Sequence, residues 1–122
     1  MEQSPPIFDI WRKEISTELS QAETSLAEAL ASLTAAEQSA RVERIERVAF
    51  DNAFERRAAR QALAGALAVR YRQQQDRMRS AEGALVRARN EVETLRRRVA
   101  DLRDAVAQID EIAPEAIEQE AA

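Results

Sequence analysis

Apolar residues in the second half of the chain keep one spacing without an error. Met78, Ala81, Leu85, Ala88, Val92, Leu95, Val99, Leu102, Val106, Ile109 and Ala113 follow one another at alternating steps of three and four. This heptad puts Met78, Leu85, Val92, Val99, Val106 and Ala113 at a, and Ala81, Ala88, Leu95, Leu102 and Ile109 at d. A repeat of ~3.5 residues keeps such a stripe facing a neighbour only when the helices supercoil left-handedly. A helix lying on a globule rarely holds so strict a stripe for so long. The pattern therefore predicts a coiled coil. Valine at a with leucine at d, from Val92 to Leu102, suits two strands when the pairing is parallel.

The first half is less regular. Ile15, Leu19, Ala22, Leu26, Ala29, Leu33, Ala36 and Ala40 also alternate steps of four and three. The same region reads equally well in an eleven-residue repeat through Phe8, Trp11, Ile15, Leu19, Ala22, Leu26, Leu30 and Leu33. That spacing suits straight or slightly right-handed helices, and the two readings stay open. Between the halves the pattern slips. Val42, Ile45, Val48, Ala49, Phe50, Ala53 and Phe54 crowd several faces, and the extrapolated heptad meets Arg57 and Arg60.

Breakers are scarce. Pro5 and Pro6 are the only prolines before Pro114, and Gly65 and Gly83 are the only glycines. Turns ordinarily recruit Gly, Pro, Asn and Asp, so this scarcity predicts long helices. Ser4 before Pro5 fits an N-cap followed by proline in the first turn. A reversal is expected near Asp51-Asn52, where Asn52 and Glu55 loosely match a capping box, with Gly65 and the 34–52 stretch as other places for it. The Ala-rich stretch from Ala58 to Ala68 would let two helices approach closely. The second helix should end near Pro114, because proline disfavours the α conformation in the residue before it. The expected organisation is a single helical domain over 1–113, with helices over about 5–50 and 53–113, then an acidic flexible tail over 114–122.

Composition sharpens this picture. Of 122 residues, 25 are alanine, and aromatics make up only 4%, which favours a thin elongated structure over a thick core. Ala, Glu, Lys, Leu and Arg exceed half of the chain, as in long helices and coiled coils. Charge is segregated. Residues 1–40 carry two basic and seven acidic side chains, residues 41–103 carry 16 basic and nine acidic, and residues 104–122 carry six acidic and none basic. Either an acidic segment folds beside the basic one, or the basic stretch faces an anionic partner.

Two architectures follow, both all-α. In the favoured one, a long-helix antiparallel coiled-coil hairpin sets the acidic first arm beside the basic second arm. In the alternative, a single long helix pairs with copies of itself as a parallel oligomeric coiled coil. The interface would in either case run through Met78, Leu85, Val92, Leu95, Val99, Leu102, Val106 and Ile109, and through Ile15, Leu19, Leu26 and Leu33.

Catalytic chemistry finds little to work with. The chain has no histidine and no cysteine, which removes the commonest general base, the thiolate nucleophile and disulfides. Glu14 and Glu18 share a helix face, but carboxylate metal sites in helical bundles also need Glu-x-x-His. No glycine-rich phosphate loop occurs. The expectation is a non-enzymatic protein with no catalytic residues, no metal, no cofactor and no small-molecule substrate. No apolar run reaches membrane-spanning length, so no membrane insertion is expected. The segment Met1-Glu2-Gln3-Ser4-Pro5-Pro6 lacks a basic and apolar leader, which points to the cytoplasm, a virus particle or a secretion apparatus.

Two features suggest partners. Ile7, Phe8, Ile10 and Trp11 form the densest large-apolar cluster, readable as a plug at the end of a bundle or as a segment that docks on a protein partner. Arg96, Arg97 and Arg98 are candidate anion contacts, through which nucleic acid would bind with steep salt dependence. They fall at e, f and g of the heptad, where solvated charge is the ordinary occupant, and Glu93 is placed to pair with them. In helix length and composition the chain resembles the small coiled-coil hairpin stalk proteins of type III secretion and flagellar export, and also phage scaffolding or virion coiled coils. That resemblance implies a spacer, stalk or assembly factor working by self-association or with protein partners. The alternative is an arginine-rich nucleic-acid-associated coiled coil.

Overall fold

The computed structural model describes the backbone of residues 6–58 and 65–121 and the side chains of residues 7–55 and 65–112. Among the described residues there are two helices, α1 (Pro6–Ala58) and α2 (Gly65–Ala121), of 53 and 57 residues. They pack antiparallel, as the hairpin reading requires and the single-rod alternative does not. Arg12 meets Asp110 and Glu18 meets Arg98. Farther along, Arg44 meets Glu82 and Asp51 meets Tyr71. Later positions in α1 thus face earlier positions in α2.

The helices form two compact units, one from Met1–Glu28 with Val92–Ala122 and the other from Ala29–Glu91. In the first, Ile15, Leu19, Ala22 and Leu26 turn inward, as do Val92, Leu95, Val99, Leu102, Val106 and Ile109. In the second, Ala29, Leu33, Ala36 and Ala40 turn inward, with Met78, Ala81, Leu85 and Ala88 from α2. Every α2 heptad position from Met78 to Ile109 is buried or half-buried, and Ala113 lies outside the described side chains. The most enclosed apolar residues of α1 are Ala22, Ala29 and Ala40, and those of α2 are Leu85, Val92, Val99 and Ile109. Large side chains on one helix against methyl groups on the other make a thin, close-packed seam.

The frame of α1 is the heptad. Leu30 and Trp11, which the eleven-residue repeat would bury, are 36% and 45% exposed, whereas Ala29 is 6% exposed. Continued past Ala40 at steps of three and four, the frame reaches Glu43, Arg47, Phe50 and Phe54, all half-buried. The apparent slip in this region was therefore a change in residue type at constant phase. Positions Arg57 and Arg60 lie outside the described side chains.

Two expected boundaries are corrected. α1 runs straight through Asp51-Asn52 to Ala58, so the chain does not reverse there. Phe50 and Phe54, one turn apart on the inward face, need that backbone helical, and Asp51 is occupied by Tyr71 rather than by a cap. The second helix opens at Gly65, one of the two other places expected for the reversal, whose φ of +63° lies in the left-handed region that costs an L-residue about 1–2 kcal/mol. At the other end, α2 continues through Pro114 to Ala121 in place of a tail beginning at 114. Proline removes one backbone hydrogen bond, and the residues that follow it are mostly Ala and Glu, both good helix formers. The capping role expected of Ser4 lies outside the described residues.

Candidate interaction surfaces

Charge segregation along the chain resolves into pairs across the seam. Glu18 and Glu23 of the acidic arm pair with Arg98 (3.9 Å) and Arg103 (3.6 Å). Arg77 bridges Glu43 (3.4 Å) and Glu46 (3.1 Å). Arg12 grips Asp110 with two bonds, Nε to Oδ1 at 2.7 Å and Nη2 to Oδ2 at 3.4 Å. That hydrogen bond, reinforced by the opposite charge, raises the Arg12 guanidinium above its usual value. Exposed pairs of this kind each contribute about 0–1 kcal/mol. Their larger effect is to favour one direction and register of pairing over others.

A polar layer interrupts the apolar seam within the second unit. Gln74 is completely buried. Its Nε2 donates to the Glu43 carbonyl at 2.8 Å and to Glu43 Oε2 at 3.4 Å, while its Oε1 has no partner. One turn on, the Arg47 guanidinium lies 4.0 Å from the centre of the Tyr71 ring, and its Nη1 is buried without a partner. Asp51 Oδ1 closes the layer, accepting from the Tyr71 hydroxyl at 3.2 Å and pairing with Arg47 Nε at 3.4 Å. Phe50 then packs edge-on to Tyr71 and stacks on Phe54. An orphaned buried polar atom costs about 1–3 kcal/mol, so this layer is not there for stability. Any shifted register would place Gln74 and Arg47 against apolar neighbours at greater cost, which makes the layer a register lock.

An apolar periodicity alone does not reach these residues. Stepping back from Met78 by four and three reaches Gln74 and Tyr71 in the same heptad frame. A polar residue at a seam position was the available signal.

The proposed partner contacts stand on the surface. Ile7, Ile10 and Trp11 are 50%, 53% and 45% exposed, while Phe8 is half-buried with its ring edge-on to Trp11 at 5.6 Å. The cluster is therefore largely open to solvent in the hairpin. Arg96, Arg97 and Arg98 are all exposed, but Arg97 pairs with Glu93 at 3.2 Å and Arg98 with Glu18. A second exposed apolar set, Val42, Ile45 and Val48, lies on α1 beside a groove of about 570 Å³ lined by Arg41, Arg44, Leu85 and Arg89. Among the described residues, no group of three or more His, Cys, Asp or Glu is arranged to hold a metal, and no helix is long and apolar enough to cross a membrane. No family model, curated protein or solved structure matches the chain.

Proposed function

We propose that this chain is a non-enzymatic coiled-coil structural or adaptor protein, a spacer, stalk or assembly factor that holds protein partners on long helical faces. One observation carries the reading: a heptad seam unbroken from Met78 to Ile109 is spent on pairing two helices, while large apolar side chains remain on their outer faces. Apolar surface kept out of a core but held on a rigid helix is what an interaction surface requires. A place in a secretion apparatus or a virus particle suits such a device, as does a cytoplasmic complex. Photo-crosslinking from position 11 in the source cells tests it. A discrete protein adduct is expected, and the absence of any adduct at that position and at position 45 would count against an adaptor.

The nucleic-acid reading has one observation in its favour: among the described residues, Arg41, Arg89 and Arg96 have no ion-pair partner. Fluorescence anisotropy with a labelled 20-base-pair duplex at about 50 mM salt separates the two. The adaptor predicts no binding. Binding that falls steeply with added salt would move the assignment to nucleic acid.

A further inference from the structure

The groove beside Ile45 lies wholly within the unit Ala29–Glu91. It runs along α1 from Glu37 to Val48 and reaches across to Leu85 and Arg89 of α2. That stretch of helix spans about 16 Å, or three turns. Ile45 and Val48 are 63% and 57% exposed in it, and Leu85 links it to the apolar seam.

The lining is basic as well as apolar. Arg41, Arg44 and Arg89 stand against a single carboxylate, Glu37. Arg44 is held by Glu82 at 3.2 Å. Arg41 and Arg89 are exposed and, among the described residues, have no ion-pair partner. Two guanidinium groups with unused charge therefore border exposed isoleucine and valine. An apolar side chain laid on Ile45 and Val48 leaves water together with the surface it covers. A carboxylate beside it meets a guanidinium that nothing else neutralises.

Both walls of the groove are helices, whose backbone groups bond within the helix, so an extended segment laid there finds no sheet edge to pair with. A helix brings its own backbone bonds and needs only a matching stripe of side chains. We propose that this groove docks an acidic amphipathic helix of a partner protein, its apolar stripe on Ile45 and Val48 and its carboxylates on Arg41 and Arg89. The two helices thereby become a local three-helix bundle. Nucleic acid would answer the charge but offers no aliphatic side chains to Ile45 and Val48. The inference rests on reading the chain as an adaptor and names the chemistry of one partner.

Fluorescence anisotropy with two labelled helical peptides tests it. Each has about three heptads with leucine at a and d, one carrying glutamate at e and g and the other lysine. The full chain should bind the glutamate peptide with a Kd on the order of 50 μM at about 50 mM salt, and the lysine peptide at least about tenfold more weakly. Arg41→Glu and Arg89→Glu should each weaken binding of the glutamate peptide about fivefold, and Ile45→Glu should remove it. All three positions are exposed, so helicity should not change. Arg87→Glu makes the same change of charge at an exposed position outside the groove, and should leave the Kd within about twofold. Absence of binding up to about 1 mM overturns the proposal, as do equal affinities for the two peptides. An effect of Arg87→Glu as large as that of Arg41→Glu also overturns it. Displacement of the peptide by a DNA duplex would assign the groove to nucleic acid instead. Self-association that Arg41→Glu abolishes would assign it to a second copy, whose residues 104–122 carry six acidic and no basic side chains. The adaptor reading fails separately, because position 11 lies in the other unit and an adduct there does not involve this groove.

Discussion

Gly65 opens α2 with a φ of +63°, and an added Cβ would meet nothing within 4 Å. The whole cost of Gly65→Ala is therefore backbone strain, and urea unfolding should show a loss of about 1–2 kcal/mol. Gly83 is the opposite case. It sits inside α2 with ordinary helical geometry, and an added Cβ would meet only the flexible tip of Arg87 at 3.4 Å. Gly83→Ala should raise stability by about 0.4–1 kcal/mol, mainly by removing freedom from the unfolded chain. Gln74 separates stability from specificity. The Glu43 carbonyl that it bonds is also placed to accept the ordinary bond of an uninterrupted helix, so Gln74→Leu removes an orphan without creating one. Its unfolding temperature should equal or exceed that of the native chain. Amide NMR spectra should show extra or broadened peaks from residues 43–78, because an apolar layer tolerates shifted registers. A single sharp spectrum would mean that the surrounding ion pairs alone set the register.

At the scale of elements, α2 holds to α1 through a narrow stripe, so damage to the stripe has nowhere to be absorbed. Leu95 and Leu102 are half-buried d positions flanking the buried Val99. Each contributes roughly 1.5–3 kcal/mol by burial, and Asp adds a desolvation penalty. Leu95→Asp with Leu102→Asp should melt the unit formed by Met1–Glu28 and Val92–Ala122, read as lost helicity by circular dichroism. Unchanged helicity would show that the seam is not what holds it. The heptad of α2 was legible because its residues are both periodic and apolar. The heptad of α1 was only half legible, because alanine is helix-forming, weakly apolar and common on every face. Which alanines are enclosed depends on the large side chains opposite, and Leu85, Val92 and Val99 sit on the other helix.

For the whole molecule, the segregated charge and the seam together select an antiparallel pairing. Arg96, Arg97 and Arg98 lie outside the seam, so replacing all three by Gln should leave the unfolding temperature within a few degrees. A collapse of the fold would show that the pairs of Arg97 with Glu93 and of Arg98 with Glu18 matter far more than exposed pairs usually do. By itself the sequence determined that the chain is helical, that α2 carries a continuous heptad, and that charge is segregated along the chain. These follow from periodicity, composition and scarce breakers, which are local properties. Only the tertiary structure decided where the helices end, because proline and Asp-Asn state a preference of about 1–3 kcal/mol that packing can override. It also decided which face of α1 is covered and which groups Gln74 and Arg47 meet across the seam. Those outcomes depend on what stands opposite each residue, and no window along a single helix contains that information.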